Sequence, residues 1–259
     1  MTVKLCTPES RASICLTWRD PDAQWKALQE QWNTWDAMKV LDWNALLSQP
    51  DLKLLDLGAG TGWLSAYLSS HPHVQQIDAL DSGVHNLTVM LPALIQKVGG
   101  KADKIQPILG LFSPLLAPDN SYDVLVASSA VHHAPNLTVL LREGRRVLKD
   151  DGLLIILNEV PLTSTQYLYR SLKIFCGIVL NILRGDYVEQ APSISKTGIL
   201  YDPFLGDHSF TLSQWTQAFQ KAGLSWRVVR TSYTSYKTDK PGAPKLTHFI
   251  CRKATLPAS

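Results

Sequence analysis

No stretch of this chain is apolar for the length that a membrane-spanning helix requires. The most apolar run, Ile174 to Leu183 (IFCGIVLNIL), is about half that length and follows Arg170 and Lys173. It is expected to be a buried helix or one lying over a site, with contact to a membrane surface as the alternative. The four cysteines, Cys6, Cys15, Cys176 and Cys251, form no Cys-x-x-Cys pair and have no closely paired histidines beside them. Neither a disulfide framework nor a structural zinc site is predicted, no metal is expected, and the compartment is expected to be reducing and cytoplasmic. The opening residues, MTVKLCTPESRASICLTWRDP, lack the unbroken apolar core of a secretory signal, so no export is expected. A basic block is missing too: 25 Lys and Arg and 22 Asp and Glu are dispersed to a net charge of +3, and nucleic acid is not an expected partner. There is no internal repeat and no low-complexity segment.

What is present is enough apolar residue, 45% of 259, for one sizeable α/β core. Asp20 before Pro21 reads as a helix start, and Trp25, Leu28, Trp32, Trp35 and Leu46 recur at roughly helical spacing. Residues 1–50 are therefore read as an N-terminal helical cap on a domain spanning 51–259. From Leu52 onward short apolar runs alternate with helical segments: KLLDL, QQIDALD, KIQPIL, YDVLVAS and LLIILNEV. That alternation predicts successive βαβ units in a mostly parallel, doubly wound sheet. It stops over about 161–210, an insertion expected to lie over the active site. It resumes with the helix TLSQWTQAFQKAGL and two strands, SWRVVRTSY and LTHFICRK, whose short connection predicts an antiparallel pair.

The most informative segment is LLDLGAGTGWLS, residues 54–65. A glycine turn after the first strand of such a sheet lets backbone approach a ligand, so Gly58, Gly60 and Gly62 are expected at a cofactor. A dinucleotide fingerprint needs a small residue at position 63, which here is Trp63, and this disfavours NAD and FAD. Asp81, at the end of the second strand, is placed to accept both hydroxyls of a ribose. Asp56, just before the glycines, suits an ammonium better than a phosphate. A nucleoside with a cationic amino-acid tail and no phosphate describes S-adenosylmethionine. The plainer readings are a tight turn in some other α/β protein and an aspartate that only caps a helix.

With these residues in view, LLDLGAGTGWLS, ALDSGVHNL, SYDVLVASSAVHHAPNL and LLREGRRVLKDDGLLIILNEV resemble the class I S-adenosylmethionine-dependent methyltransferases. The resemblance runs from about Leu52 to the C-terminus. It implies a seven-stranded sheet with an antiparallel C-terminal strand pair, and methyl transfer from S-adenosylmethionine. It places Asp56, Gly58 and Gly60 at the methionine end and Asp81 at the ribose, and Ser82 and Ser128 are expected among the cofactor-binding residues. Many members carry an acid for the adenine amine soon after the third strand. Here Leu111 and Phe112 stand in that place, so that contact is expected to be absent or made by backbone.

His132 and His133 follow the fourth strand and Glu159 ends the fifth. A fainter resemblance, to the carbon-methylating domains of polyketide synthases, implies a catalytic dyad of His132 with Glu159, provided that one residue is inserted in the fifth strand. His132 is the expected general base, Glu159 its orienting acid, His133 a structural neighbour and His208 a weaker candidate at the surface. Only Glu159 among the acids is expected near these strand ends, which disfavours metal-assisted chemistry. The sequence also lacks the Asn- or Asp-Pro-Pro-aromatic motif of base N-methylation and a cysteine at the fourth strand for pyrimidine C5 chemistry.

The expected activity is methyl transfer to carbon or oxygen of a small, partly hydrophobic metabolite, in a polyketide-like specialised setting. The alternatives are transfer to nitrogen, a S-adenosylmethionine-binding protein without turnover, and a nicotinamide oxidoreductase. The oligomeric state is left open.

Overall fold

The computed structural model describes residues 19–184, 193–195, 198–202 and 206–254. Cys6 and Cys15 lie outside them.

Seven strands make the main sheet: β1 (Leu52–Leu57), β2 (Val74–Asp81), β3 (Ile105–Leu109), β4 (Tyr122–Ser128), β5 (Leu148–Glu159), β9 (Leu224–Thr234) and β10 (Lys245–Lys253). Their order is β3-β2-β1-β4-β5-β10-β9, parallel except for β10, which runs antiparallel to both β5 and β9. The expected sheet and its C-terminal pair are therefore present. Central strands are apolar at nearly every position because both faces are covered. On β1, β4 and β5, Leu54, Val124, Val126 and Ile155 enter one core layer, while Leu55, Leu125, Leu154 and Ile156 enter the other. The first layer is closed by helices α4 (Trp63–Ser69) and α5 (Leu91–Val98), the second by α6 (Leu137–Val147) and α8 (Leu212–Lys221).

The N-terminal helix is broken rather than continuous. Helix α1 (Pro21–Lys26) is capped by Asp20 and runs on as a π turn to Gln31. Trp32 then turns extended and forms a bridge with Tyr236, and the chain restarts as α2 (Thr34–Met38) and α3 (Trp43–Leu46). The tryptophans at helical spacing serve instead as a packed cluster: Trp35 lies 5.6 Å from each of the rings of Trp25, Trp63 and Tyr67. This segment joins the first core layer, where Leu28, Met38 and Leu47 are fully buried.

Among the described residues, the insertion holds the 21-residue helix α7 (Ser164–Arg184) and a small antiparallel sheet of β6 (Ser193–Ile194), β7 (Leu200–Asp202) and β8 (Asp207–Ser209). The expectation of a buried helix over 174–183 is corrected: Phe175, Leu180 and Leu183 are exposed. Among the described residues no helix is long and apolar enough to cross a membrane.

The strand order reverses between β1 and β4, and in such sheets the ligand crevice lies at the carboxyl ends of the strands beside the reversal. On the far side of the sheet, Trp215 of α8 stacks on Phe249 at 4.9 Å and leans on Phe210 and Phe219. Removing a buried indole leaves a cavity as well as lost transfer energy. Trp215→Ala is expected to lower stability by roughly 3–5 kcal/mol, read as a lower urea midpoint at unchanged slope. A loss below about 1 kcal/mol would mean that this aromatic stack does not hold the second layer.

Candidate active site

Leaving β1, the chain turns through Gly58, Gly60 and Gly62, which have φ of 69°, 54° and 78°. At two of these positions space also excludes a side chain. A Cβ on Gly58 would stand 2.8 Å from Phe112 Cζ and 2.9 Å from Ala130 Cβ, and one on Gly62 would collide with Leu91. Gly58 thus brings the turn after β1 against the loops after β3 and β4. Gly62 lets α4 begin against α5, the close packing that a dinucleotide fingerprint assigns to the next position. Trp63 is consequently free to enter the core.

Asp81 is tied to this turn. Its Oδ2 accepts the Gly60 N–H at 2.8 Å, and its Oδ1 accepts the Gly83 N–H at 2.7 Å and an N–H of the Asn86 amide at 3.1 Å. Asp56 is buried and accepts the Ser65 hydroxyl at 2.6 Å. Burial pushes its pKa up to about 7; the Ser65 hydrogen bond opposes the shift and the negative charge of Asp81 adds to it. A cation arriving beside Asp56 would favour its ionised form. Phe112 lies against Gly58, Leu111 and Ser82 are exposed nearby, and the Ser128 hydroxyl accepts from the Asn158 amide at 2.9 Å. Gln24 of α1, which carries no motif signal, reaches over the turn and donates to Thr61 Oγ1 at 3.2 Å.

The second group of residues sits at the ends of β4 and β5. Glu159 is 2% exposed, and its two oxygens accept from the Val131 N–H at 3.1 Å and from His132 Nδ1 at 2.9 Å. Thr247 pairs with Glu159 but Phe249 with Ile156, so β5 carries one residue more than β10 in this interval. The bulge is taken up at Asn158, a non-glycine residue at φ 59°. Its N–H, which lacks a regular ladder partner there, donates to His248 Nδ1 at 3.0 Å, while His248 Nε2 donates to the Ala37 carbonyl at 2.8 Å. Burial lowers the pKa of His248, which therefore stays neutral between these two bonds.

The insertion adds residues that the sequence reading did not select. Asp207 of β8 places Oδ1 at 3.4 Å from His132 Nε2 and 3.2 Å from His133 Nδ1. The next residue, His208, packs its ring on Tyr201 and puts Nδ1 at 3.2 Å from the His132 carbonyl. His208 is thus part of the site rather than a free surface histidine. The expectation of a single carboxylate at these strand ends is corrected, because Asp207 supplies a second. Burial disfavours charge on His132, yet Glu159 and Asp207 outweigh it and push its pKa up to about 10. His132, His133 and Asp207 also bring one donor atom each within 4.8 Å of one another, a spacing that a divalent cation could share. Ala130, in contact range of Gly58, lies two residues before His132, so the glycine turn and the histidine group lie side by side at the carboxyl edge of the sheet.

Residues 55–156 match the family model described as a methyltransferase domain. The sarcosine/dimethylglycine N-methyltransferase of Aphanothece halophytica is 32% identical over 44% of this chain and 38% of its own length. A highly reducing polyketide synthase of Aspergillus nomiae is 28% identical over 68% of this chain but only 6% of the synthase. The chain thus spans well under half of these curated relatives. Among solved structures, a 1,6-didemethyltoxoflavin-N1-methyltransferase of Burkholderia thailandensis, determined with S-adenosylhomocysteine, superposes with a TM-score of 0.57. It covers 98% of this chain and 94% of that one at 17% identity, a likeness of fold. Sheet order, glycine turn and matched segment agree, and residues 55–156 carry the methyltransferase domain that this family model describes.

Proposed function

We propose that this protein transfers a methyl group from S-adenosylmethionine to an acidic carbon or a hydroxyl of a small, partly hydrophobic acceptor. In this reading His132 takes the acceptor's proton and Glu159 orients it. The observation that carries the reading is the 2.9 Å contact between His132 Nδ1 and Glu159 Oε2 at the mouth of the crevice that also holds the glycine turn. S-adenosylmethionine supplies an electrophilic methyl on a sulfonium, which departs as a neutral thioether. Asp81 would hold the ribose hydroxyls, and Asp56 would face the cationic tail directly or through water. Backbone at Leu111 and the Phe112 ring would flank the base. Glu159 fixes the imidazole with Nδ1 inward, which directs Nε2 toward the crevice and stabilises the charge formed when it accepts a proton.

Asp207 modifies this picture, because it stands at the nitrogen that must receive the proton. An acceptor hydroxyl or acidic carbon has to displace Asp207 from Nε2, and losing that carboxylate lowers the proton affinity of His132. The imidazole then becomes a neutral base when the acceptor is in place. Nitrogen as the acceptor atom is the competing reading, supported by the N-methyltransferase among the relatives; there His132 would only position the amine.

Three outcomes test the assignments. Asp81→Ala should weaken S-adenosylmethionine and S-adenosylhomocysteine in calorimetry by about 10–100-fold, since hydrogen bonds to a charged acceptor are lost. Unchanged affinity would remove Asp81 from the site, and binding of NAD in their place would overturn the cofactor.

His132→Ala should leave that affinity unchanged and lower labelled-methyl transfer by about 10²–10⁴-fold. Transfer should persist after exhaustive chelation; loss restored by added zinc or manganese would assign His132, His133 and Asp207 to a metal instead.

The rate should rise with pH as His132 loses its proton. The charges facing that ring are Glu159 from β5, Asp207 from β8, and the neighbouring His133 and His208. Asp207→Asn removes a carboxylate that holds the proton, so the rise should move to lower pH. A rate profile in which Asp207→Asn moves nothing would separate Asp207 from the titrating group.

A further inference from the structure

Helix α7 is 21 residues long, about 31 Å at 1.5 Å per residue, and it leaves the body of the protein immediately after the site. Its first turns are fastened: Tyr167, Ser171 and Ile174 are half-buried, and Arg170 donates to the Ser209 hydroxyl of β8. The other side presents Leu168, Leu172, Phe175, Val179 and Leu183, spaced by four, three, four and four residues and therefore aligned on one face. All five are exposed, Phe175 at 63% and Leu183 at 76%. Single exposed leucines are ordinary, but an aligned apolar face along an entire helix marks a surface that is covered in use.

Charge decides what covers it. Ser164–Arg184 contains Arg170, Lys173 and Arg184 and not one Asp or Glu. A second copy seated on this face would bring a cationic helix against a cationic helix, with no acidic residues to pair across the seam. A helix with leucine and phenylalanine on its free face and the exposed Lys173 beside it meets both of its needs at an anionic lipid surface. There the apolar side chains enter the acyl boundary and the cations lie among the phosphates. The helix lacks the continuous apolar length to cross the bilayer, so it lies along it. We propose that the exposed face of α7 docks on an anionic membrane surface, with Leu168, Leu172, Phe175, Val179 and Leu183 inserted and Lys173 at the headgroups. This inference is independent of the acceptor and of the role of His132.

The test is co-sedimentation of the full chain with vesicles of phosphatidylcholine mixed with phosphatidylglycerol, set against vesicles of phosphatidylcholine alone. The protein should bind the mixed vesicles and not the neutral ones, and binding should weaken as salt rises. Leu172→Glu with Phe175→Glu should lower the partition coefficient at least about tenfold, and Lys173→Glu should lower it by several-fold, while Phe175→Leu retains it. Because these side chains are exposed, each variant should keep its circular dichroism spectrum and its calorimetric affinity for S-adenosylmethionine, so failure of docking is distinct from failure of the cofactor reading. Protein that stays in the supernatant with anionic vesicles would overturn the proposal. So would equal binding to both vesicle types, or a dimer in light scattering that Phe175→Glu dissociates.

Discussion

Glu159 is a carboxylate taken almost wholly out of water, and a charge in that position has to be met by donors on both oxygens or it destabilises the fold by several kcal/mol. The carboxyl edge of the sheet is arranged around that need. The turn after β4 delivers the Val131 N–H and the His132 imidazole to its two oxygens. The bulge at Asn158 sets the end of β5 at the angle that makes this possible, and His248 absorbs the N–H that the bulge leaves over. His248 then reaches the carbonyl of Ala37, and the Asn158 amide reaches that of Thr34. The broken N-terminal segment is thereby fastened to the same strand end as the histidine group. One buried negative charge links three parts of the chain that are distant in sequence.

The sheet was legible in the sequence because each strand is a short apolar run bounded by polar or glycine-containing segments, and every one of the seven runs is a strand in the structure. The glycine turn and the strand-terminal acids were legible for the same reason: the chemistry of this fold sits where strands end. Asp207 was not, because it lies in an insertion with no periodicity, and nothing local says that a three-residue edge strand will fold back on His132. The N-terminal segment misled through its tryptophans. Their spacing satisfies a helix, but it also satisfies a cluster gathered around Trp35, and the extended turn at Trp32 settles in favour of the cluster. The apolar run at 174–183 misled differently. Helical periodicity identifies a face that wants cover without saying whether the protein supplies that cover.

Two pairs of charges give the crevice its character. Near the glycine turn, Asp56 and Asp81 are like charges, one buried and one held by backbone, an arrangement that welcomes a cation between them. Near the strand ends, His132 is a cation set between two carboxylates, with more negative charge around it than it can neutralise. Acidic groups thus gather at both places in a chain whose net charge is +3. Several arginines of α6, such as Arg142, Arg145 and Arg146, are engaged by carbonyls of Lys221, Gly223 and Leu115 and serve to pin helices and loops.

Asp81 accepts three N–H donors from its own chain, and a carboxylate offers about four lone-pair positions. A ligand that brings two hydroxyls to it must take over at least one internal bond, and the Gly60 N–H at the rim of the turn is the donor placed to give way. The exchange runs equally well backwards. When a ligand leaves, Gly60 restores the bond, and no desolvated acceptor is stranded behind it. Departure of such a ligand is then a swap of one hydrogen bond for another, which keeps the exit step shallow.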